Sequence, residues 1–130
     1  MIFSNGVDIV EVNRIKELAQ KHGKKFLQRI FTPREIKYCD GRKNMFEHYA
    51  ARFAAKEAIM KILRAGLDSM SLKEIEVVRS PRGDVGTRLF GKARERADDL
   101  GISNIHLSIS HTEHYAVAFA IAEKEEYKKF

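Results

Sequence analysis

The hydrophobic and polar positions of the chain predict strands at both ends and helices between them. Residues 2–12, IFSNGVDIVEV, are rich in apolar and β-branched residues, as strands are. Residues 104–111 and 114–123 are similar, and the short Thr-Glu turn between them favours a hairpin. Two shorter apolar runs, 75–79 and 85–89, predict strands joined by the turn sequence SPRGD.

Apolar residues recur at helical spacing through the middle of the chain. The stretch FTPREIKYC has Thr32 as N-cap, Pro33 at the first helical position and Glu35 at the third, which is typical of a helix start. The longest pattern is expected to close at Gly66, and a short turn is expected from Asp68 onwards. The predicted helices are 13–21, 24–30, 33–40, 44–63 and 91–100.

This order of elements predicts a single α+β domain over residues 1–130, with a mainly antiparallel sheet packed on a long central helix. No run of 18 apolar residues is present, so a transmembrane helix is not expected. The single cysteine, Cys39, cannot form an internal disulfide, which indicates a reducing compartment such as the cytoplasm.

A glutamate interrupts the apolar side of the longest helix. At about 100° per residue, Glu57 falls among apolar positions that include Phe53 and Met60. A carboxylate in such a place costs several kcal/mol unless a positive group pairs with it. Lys61, four residues further on, is one candidate partner, and a metal ion is the other.

The first strand carries a second carboxylate in an apolar setting. Asp8 is flanked by Val7, Ile9 and Val10, although aspartate is depleted in strands. Two isolated carboxylates on different core elements suit a hard cation such as Mg²⁺, which takes one or two protein carboxylates together with water and phosphate oxygens. No zinc-type cluster competes, since the chain has one Cys. Asp8 and Glu57 are therefore the candidate metal ligands.

The motif SISHTEHY places Ser110, His111 and Thr112 at the end of a predicted strand. These side chains could bind an anion or orient a substrate, or they could cap a turn. Ser110 and His111 are adjacent and point to opposite faces of a strand, which argues against a hydrolase with a serine nucleophile and a histidine base. No Walker loop or GxGxxG motif is present, so Lys and Arg side chains or the metal would have to hold any phosphate.

The formal charge of +6 is concentrated in one segment. Residues 14–43 contain ten Lys or Arg and three Asp or Glu, a local +7, so the remainder sums to −1. Such a segment indicates either an acidic partner or a solvated helical surface. A nucleic-acid-binding module would leave Asp8 and Glu57 unexplained, because carboxylates repel phosphate unless a cation lies between them. We expect neither nucleic acid nor a membrane as the partner.

Three stretches together resemble the holo-acyl-carrier-protein synthases, the short bacterial-type phosphopantetheinyl transferases. They are GVDIVEVNR at 6–14, RFAAKEAIMK at 52–61 and SISHTEHYAVAFAI at 108–121. RIFTPREIKYC and GTRLFGKA extend the resemblance over nearly the whole chain. The resemblance implies the phosphopantetheinyl transferase fold and the transfer of 4′-phosphopantetheine from coenzyme A to a serine of apo-acyl carrier protein. Adenosine 3′,5′-bisphosphate would be released, and the reaction would support fatty acid biosynthesis.

The resemblance also implies a role for each matching residue. Asp8 and Glu57 bind Mg²⁺ against the coenzyme A diphosphate, Asp8 is the candidate base for the serine, and Lys61 neutralises or protonates the leaving phosphate. The residues that match contacts with coenzyme A are Arg52, Lys56, Lys61, His111 and Thr112. The residues that match contacts with the acidic carrier protein are Arg14, Lys21 and Arg29.

Members of this family resemble one another in being homotrimers with active sites between subunits, which would draw Asp8 and Glu57 from different subunits. Arg52 would either contact coenzyme A or organise that interface. One stretch departs from the family, since its Gly-Lys-Pro is Gly83-Asp84-Val85 here, and Asp84 would repel any phosphate that the loop touches. The remaining rival is a Mg²⁺-dependent hydrolase that uses water. Charge reversal at Arg14 distinguishes the hydrolase from the transferase. Only an enzyme that modifies a carrier protein would lose affinity for its substrate, because a hydrolase of small molecules does not need Arg14 for docking.

Overall fold

The structure is a computed structural model that describes residues 1–66 and 69–125. Within these ranges the chain forms five strands, five α-helices and one 3₁₀ turn, which confirms the predicted α+β class and element order. Part of the turn expected from Asp68 lies outside the described residues. The elements are β1 (Ile2–Glu11), α1 (Val12–His22), α2 (Lys24–Ile30), α3 (Pro33–Asp40), α4 (Met45–Ile62), the 3₁₀ turn (Leu72–Glu74), β2 (Ile75–Arg79), β3 (Val85–Leu89), α5 (Gly91–Asp99), β4 (Ile102–His111) and β5 (Tyr115–Lys124).

The strands pair antiparallel, as expected, but in the described residues they form two sheets. β1, β5 and β4 make a three-stranded sheet in that order, while β2 and β3 make a separate pair. The expected hairpin is the β4–β5 pair, and the N–H of Thr112 donates to the carbonyl of Tyr115 at 2.8 Å to close its turn. In the SPRGD turn, the N–H of Ser80 donates to the carbonyl of Asp84, also at 2.8 Å.

The start of α3 is the predicted capping box. The Thr32 hydroxyl accepts the N–H of Glu35 at 3.3 Å, and the Glu35 carboxylate accepts the N–H of Thr32 at 2.9 Å. Both side chains are buried. The cap therefore belongs to the core as well as to the helix end.

Helix α4 lies at the centre of the domain and is buried on almost every side. Small side chains let the three-stranded sheet approach it closely. The tightest approach is at Gly6 of β1, where a Cβ atom would lie 2.2 Å from the carbonyl oxygen of Ala58. Glycine is therefore needed for β1 to lie this close to α4. The fully buried alanines of this interface are Ala50, Ala51, Ala54, Ala55 and Ala58 of α4 and Ala116, Ala118, Ala120 and Ala122 of β5.

Helix α4 ends earlier than the sequence predicts. Its last helical residue is Ile62, and Arg64, rather than Gly66, takes the left-handed conformation with φ 53°. The N–H groups of Arg64 and Ala65 return to carbonyls of the last turn at 3.2 and 3.3 Å, which is the pattern of a Schellman cap. The expectation at Gly66 was wrong because an arginine occupies the position that glycine usually takes.

The face of the three-stranded sheet away from α4 carries exposed apolar side chains. Val7 lies opposite Phe119 and Ile9 opposite Val117 in the β1–β5 register, so the side chains are neighbours. Monomeric proteins rarely expose a contiguous patch of this kind. We call the exposed set the apolar strip: Val7, Ile9, Tyr115, Val117 and Phe119. None of the helices in the described ranges is long and apolar enough to cross a membrane.

Candidate active site

Asp8 projects from β1 toward the α4 side of the sheet. The alternation of the strand places Asp8 on the same face as Gly6 and Val10, which are buried, while Val7 and Ile9 face away and are exposed. The strand is thus buried on one face only, and Val7 and Ile9, two of the apolar residues that flank Asp8 in the sequence, do not cover it. The Asp8 side chain is 21% exposed, so a ligand can reach it.

Lys61 of α4 contacts Asp8. Its Nζ donates to the carbonyl of Val7 at 2.7 Å and lies 3.3 Å from Asp8 Oδ1. Among the described residues, the ion pair of Lys61 is therefore with Asp8 and not with Glu57 one turn away. Because the Lys61 side chain is 55% exposed, this pair contributes little to stability. The location of Lys61 beside Asp8 and Glu57 therefore matters more for the chemistry of the site than the ion pair matters for stability.

Glu57 completes a carboxylate pair with Asp8. It is half-buried on α4, and burial followed by the negative charge of Asp8 raises the pKa of its carboxyl, while Lys61 and Arg14 oppose this shift. Asp8 and Glu57 of the same chain are thus close enough to interact. The expectation that different subunits supply these two carboxylates was wrong, because the close approach at Gly6 brings β1 and α4 of one chain together.

The donor set fits a magnesium ion. The described residues contain no group of three or more His, Cys, Asp or Glu side chains that could hold a metal, so Asp8 and Glu57 stand as a pair. Mg²⁺ binds one or two carboxylates and keeps water or phosphate oxygens at its other positions. A structural zinc site needs four protein ligands, which this pair does not provide.

An apolar cavity of about 440 Å³ lies beside Glu57. Arg14 and Arg29 are exposed and contribute to its wall together with Glu57. Lys21, the third residue predicted to contact a carrier protein, is exposed in the last turn of α1 and does not line the cavity. The structure thus brings two of the three predicted docking residues to the side of the molecule that carries Asp8 and Glu57, which we call the carboxylate side.

Lys56 is not placed to contact a ligand. It is fully buried, its Nζ lies 2.7 Å from Glu35 Oε1, and it donates to the carbonyls of Leu72 and Ile75 at 3.0 and 2.6 Å. Burial lowers the pKa of this amine, and the charge of Glu35 opposes the shift. Three partners occupy its three donors. The expectation that Lys56 contacts coenzyme A phosphate was therefore wrong, since Lys56 joins α4 to the start of α3 and to β2.

Arg52 is buried and stacks on an aromatic ring. Its guanidinium lies over the ring of Tyr38, 4.0 Å from the centroid, and its Nε and Nη1 have no hydrogen-bond partner among the described residues. It lines a cavity of about 830 Å³. Four further arginines line the same cavity, namely Arg34, Arg42, Arg79 and Arg88. We call the set of five the arginine cavity.

Sequence reasoning missed four of these five arginines. They come from α3, from the loop after it and from β2 and β3, so no spacing in the sequence connects them. The only available signal was the excess of positive charge in residues 14–43, which contains two of them. Asp84, the acid at the departure from the family pattern, also lines the cavity.

His111 and Thr112 are held by different contacts. His111 Nδ1 lies 2.9 Å from Glu47 Oε1, and its ring packs edge-on against His48, 4.8 Å between centroids. The Thr112 hydroxyl accepts the N–H of Tyr115 at 3.2 Å, so Thr112 caps the hairpin turn, one of the two interpretations that the sequence left open. Thr112 remains exposed.

The predicted site residues form two groups on different sides of α4. Arg52 and Glu57 are five residues apart, so they point about 140° apart around the helix axis. Asp8, Glu57 and Lys61 lie on one side, and Arg52 and the arginine cavity lie on the other. None of the three residues of the first group lines the arginine cavity.

Comparison with known proteins gives one consistent result. The chain matches the model of the 4′-phosphopantetheinyl transferase superfamily over residues 4–120. It is 48% identical over 124 residues to the holo-[acyl-carrier-protein] synthase of Koribacter versatilis, a match that covers 95% of this chain and 99% of that protein.

Two solved structures share the fold. One is the holo-[acyl-carrier-protein] synthase of Neisseria meningitidis, with a TM-score of 0.87 and 34% identity over 95% of this chain and all of the other. The second is the Helicobacter pylori enzyme of the same name in complex with coenzyme A, with a TM-score of 0.81 and 30% identity over 92% of this chain and all of the other.

Proposed function

The chain belongs to the 4′-phosphopantetheinyl transferase superfamily, and from that premise we propose that it is a Mg²⁺-dependent holo-[acyl-carrier-protein] synthase. It transfers 4′-phosphopantetheine from coenzyme A to a serine of apo-acyl carrier protein and releases adenosine 3′,5′-bisphosphate. The observation that carries the proposal is the meeting of Asp8, Glu57 and Lys61 in one chain that is related along 95% of its length to enzymes of this name. The enzyme would serve fatty acid biosynthesis by supplying holo-acyl carrier protein.

The carboxylate side of the molecule performs the chemistry. Asp8 and Glu57 would hold the Mg²⁺, which supplies charge neutralisation at the coenzyme A diphosphate. The serine hydroxyl attacks the β-phosphorus, and Asp8 takes its proton directly or through a water. The bond from that phosphorus to the adenosine bisphosphate breaks. Lys61, exposed and 3.3 Å from Asp8, stabilises or protonates the leaving phosphate.

The arginine cavity suits the adenosine bisphosphate end of coenzyme A. This end carries phosphate groups at the 3′ and 5′ positions, and planar guanidinium groups bind phosphate well. Arg52 offers unpartnered N–H groups there. His111 and Thr112, near the end of β4, would contact the nucleotide from the neighbouring surface. The Helicobacter pylori relative binds coenzyme A, which supports this substrate.

The carrier protein would dock on α1 and α2. Acyl carrier proteins are acidic, and Arg14, Lys21 and Arg29 are exposed on this face. Arg14 and Arg29 also line the cavity that contains Glu57, so a carrier bound there brings its serine to the carboxylate pair. These contacts should mainly raise the association rate and weaken with salt.

We propose a homotrimer with each active site between two subunits. Packing of subunits would cover the apolar strip, since such a patch is rarely left exposed. It would also bring the carboxylate side of one subunit to the arginine cavity of the next, which one chain alone keeps apart. In each active site, one subunit would thus supply Asp8, Glu57 and Lys61, and its neighbour would supply the arginine cavity.

We place the enzyme in the cytoplasm. The only cysteine, Cys39, is buried, and burial raises the pKa of its thiol to about 12. A thiol of this kind stays protonated and unreactive at neutral pH. The chain therefore carries no reactive or disulfide-forming thiol that would indicate an oxidising compartment.

The test is the mass of the carrier protein after incubation with this protein, coenzyme A and Mg²⁺. A gain of one phosphopantetheine group is expected with the natural chain, and none with Glu57→Gln or after EDTA treatment. Glu95→Gln, an exposed residue on α5, is the matched control and should retain full activity. Transfer that survives both Glu57→Gln and EDTA would contradict the metal role, and no transfer to any carrier would contradict the function.

A further inference from the structure

We propose that Tyr38 is a positioning residue whose ring holds the guanidinium groups of Arg42 and Arg52 as a paired site for the phosphate groups at the adenosine bisphosphate end of coenzyme A. This inference rests on the proposed function and names the residue that organises one half of the site. Tyr38 lies on α3, and its side chain is half-buried at the wall of the arginine cavity.

Three guanidinium groups converge on this one ring. Arg52 lies 4.0 Å from the ring centroid, Arg42 4.2 Å and Arg79 5.9 Å. They belong to α4, to the loop before it and to β2, so only the fold brings them together. Like charges at such short range repel each other, and the negative face of an aromatic ring offsets part of this repulsion. The ring is therefore the element that allows the arginines to gather before any anion arrives.

The way Arg52 is held leaves its hydrogen-bond donors free. Stacking on a ring uses the flat face of the guanidinium and leaves the N–H groups at its edge. Nε and Nη1 of Arg52 are buried and make no hydrogen bond with the described residues, although Arg52 is only 1% exposed. A buried donor without a partner costs about 1–3 kcal/mol, and more when it is charged. The unpartnered Nε and Nη1 of Arg52 are accounted for if an anion in the cavity accepts hydrogen bonds from them.

Lys56 gives the contrast within the same helix. It lies one turn after Arg52 on the same face of α4 and is equally buried. Its amine is paired with Glu35 and two carbonyls, whereas no described carboxylate pairs with Arg52. Lys56 therefore stabilises the fold, whereas the N–H groups of Arg52 can bind a ligand.

The cavity has the size that such a ligand needs, and its five arginines outweigh the one carboxylate of its lining, Asp84. Its volume of about 830 Å³ lies in the range of small-molecule sites. Arg42 is exposed at its wall, so it can close on a bound phosphate from the solvent side while Arg52 holds it from the interior. Fixing both side chains in advance reduces the rotamer freedom that binding would otherwise remove. Loss of the ring should therefore weaken anion binding without removing any charge.

The test is the binding of adenosine 3′,5′-bisphosphate to the full-length protein by calorimetry, together with steady-state kinetics. Tyr38→Leu should weaken binding about 5–10-fold, whereas Tyr38→Phe, which keeps the ring, should stay within about twofold of the natural chain. Tyr38→Leu should raise KM for coenzyme A by a similar factor and leave kcat and KM for the carrier protein nearly unchanged. A purely structural role would instead lower kcat and the thermal midpoint in parallel.

Two further variants keep the inference testable if Tyr38→Leu does not fold. Tyr38→Met removes the ring but keeps a long apolar side chain, and it should weaken binding as Leu does. Arg42→Gln changes an exposed residue and should weaken binding about tenfold. If Arg42→Gln binds the bisphosphate as well as the natural chain does, the paired site is wrong.

The outcomes separate this inference from the proposed function. If the natural chain binds the bisphosphate and loss of the ring has no effect, Tyr38 is not a positioning residue, but the transferase assignment stands. Equal weakening in Tyr38→Phe and Tyr38→Leu would show that the hydroxyl, not the ring, matters and would also overturn the inference. If the natural chain neither binds the bisphosphate nor modifies a carrier protein, the proposed function itself fails.

Discussion

At the scale of single residues, Gly6 decides whether the two carboxylates meet. A Cβ atom there would lie 2.2 Å from the backbone carbonyl of Ala58, and a backbone atom cannot move aside as a flexible side chain can. Two residues later on the same strand face lies Asp8, which must reach Lys61 and Glu57 on α4. Glycine at position 6 therefore lets β1 lie close enough to α4 for Asp8 to reach these two residues.

Substitution Gly6→Ala should push β1 away from α4. We expect a loss of about 1–3 kcal/mol of folding free energy from overpacking and a larger relative loss of transfer activity, because Asp8 moves with the strand. Gly86→Ala is the matched control, since the nearest atom to an added Cβ is a Val78 methyl at 3.8 Å. Denaturant unfolding and transfer assays on both variants measure the difference. Equal effects in the two variants would contradict the assignment.

His48 makes the stability of the protein sensitive to mild acid. Burial lowers the pKa of this histidine from its ordinary value of 6.5, and the charges of His111 and the nearby arginines lower it further. The folded state thus binds the proton less tightly than the unfolded state, so stability falls as the pH drops from 6.5 through the lower pKa of the folded state. His48→Gln should lose less stability than the natural chain between about pH 7.5 and about pH 5.5. Parallel stability curves for the two proteins would contradict this.

At the scale of elements, helix α4 organises the site because its faces carry different chemistry. The face with Glu57 and Lys61 meets β1, and the face with Arg52 and Lys56 meets α3 and β2. The helix is almost wholly enclosed, so each buried polar group on it needs a partner within the protein or from a ligand. Lys56 has its partners within the protein, and Nε and Nη1 of Arg52 have none among the described residues.

Lys56→Met should damage the fold rather than the binding of coenzyme A. Removing the amine leaves Glu35 buried without its partner, for which a cost of about 3–5 kcal/mol is typical. Denaturant unfolding should show this loss, while KM for coenzyme A measured on the folded fraction should stay near the natural value. A large rise in KM with unchanged stability would restore Lys56 as a ligand contact.

At the scale of the whole molecule, the division of site residues between two sides of α4 is the main reason that we propose an oligomer. One chain presents its carboxylates and its arginine cavity in different directions, and it also exposes the apolar strip. Association of subunits accounts for both features. A closed ring of subunits repeats the same contact, so that each carboxylate group can face the arginine group of the next chain.

Mixing two inactive variants tests this division. Glu57→Gln and Arg52→Gln should each abolish or strongly reduce transfer, but subunits exchanged between them should recover up to about a quarter of natural activity. That fraction follows because half of the carboxylate donors and half of the arginine donors remain intact in a random mixture. Light scattering would confirm that the mixture has the size of the natural oligomer. Absence of recovery in mixed oligomers would place the whole site in one subunit.

Local signals in the sequence determined most of the secondary structure. The capping box at Thr32 and Glu35, the turn residues of SPRGD and the apolar runs of the hairpin depend on neighbours a few residues away, and these predictions were confirmed. The end of α4 was the exception, because Arg64 takes a conformation that its residue type does not signal.

The sequence by itself singled out Asp8 and Glu57 as carboxylates that interrupt apolar segments, because that signal depends only on the residue and its near neighbours in the chain. Only the tertiary structure decided that one chain supplies both, that Lys56 is internally paired and that five arginines from separate elements share a cavity. These outcomes depend on contacts between residues far apart in the chain. Such contacts leave no spacing in the sequence to read, since only the packing of the elements sets them.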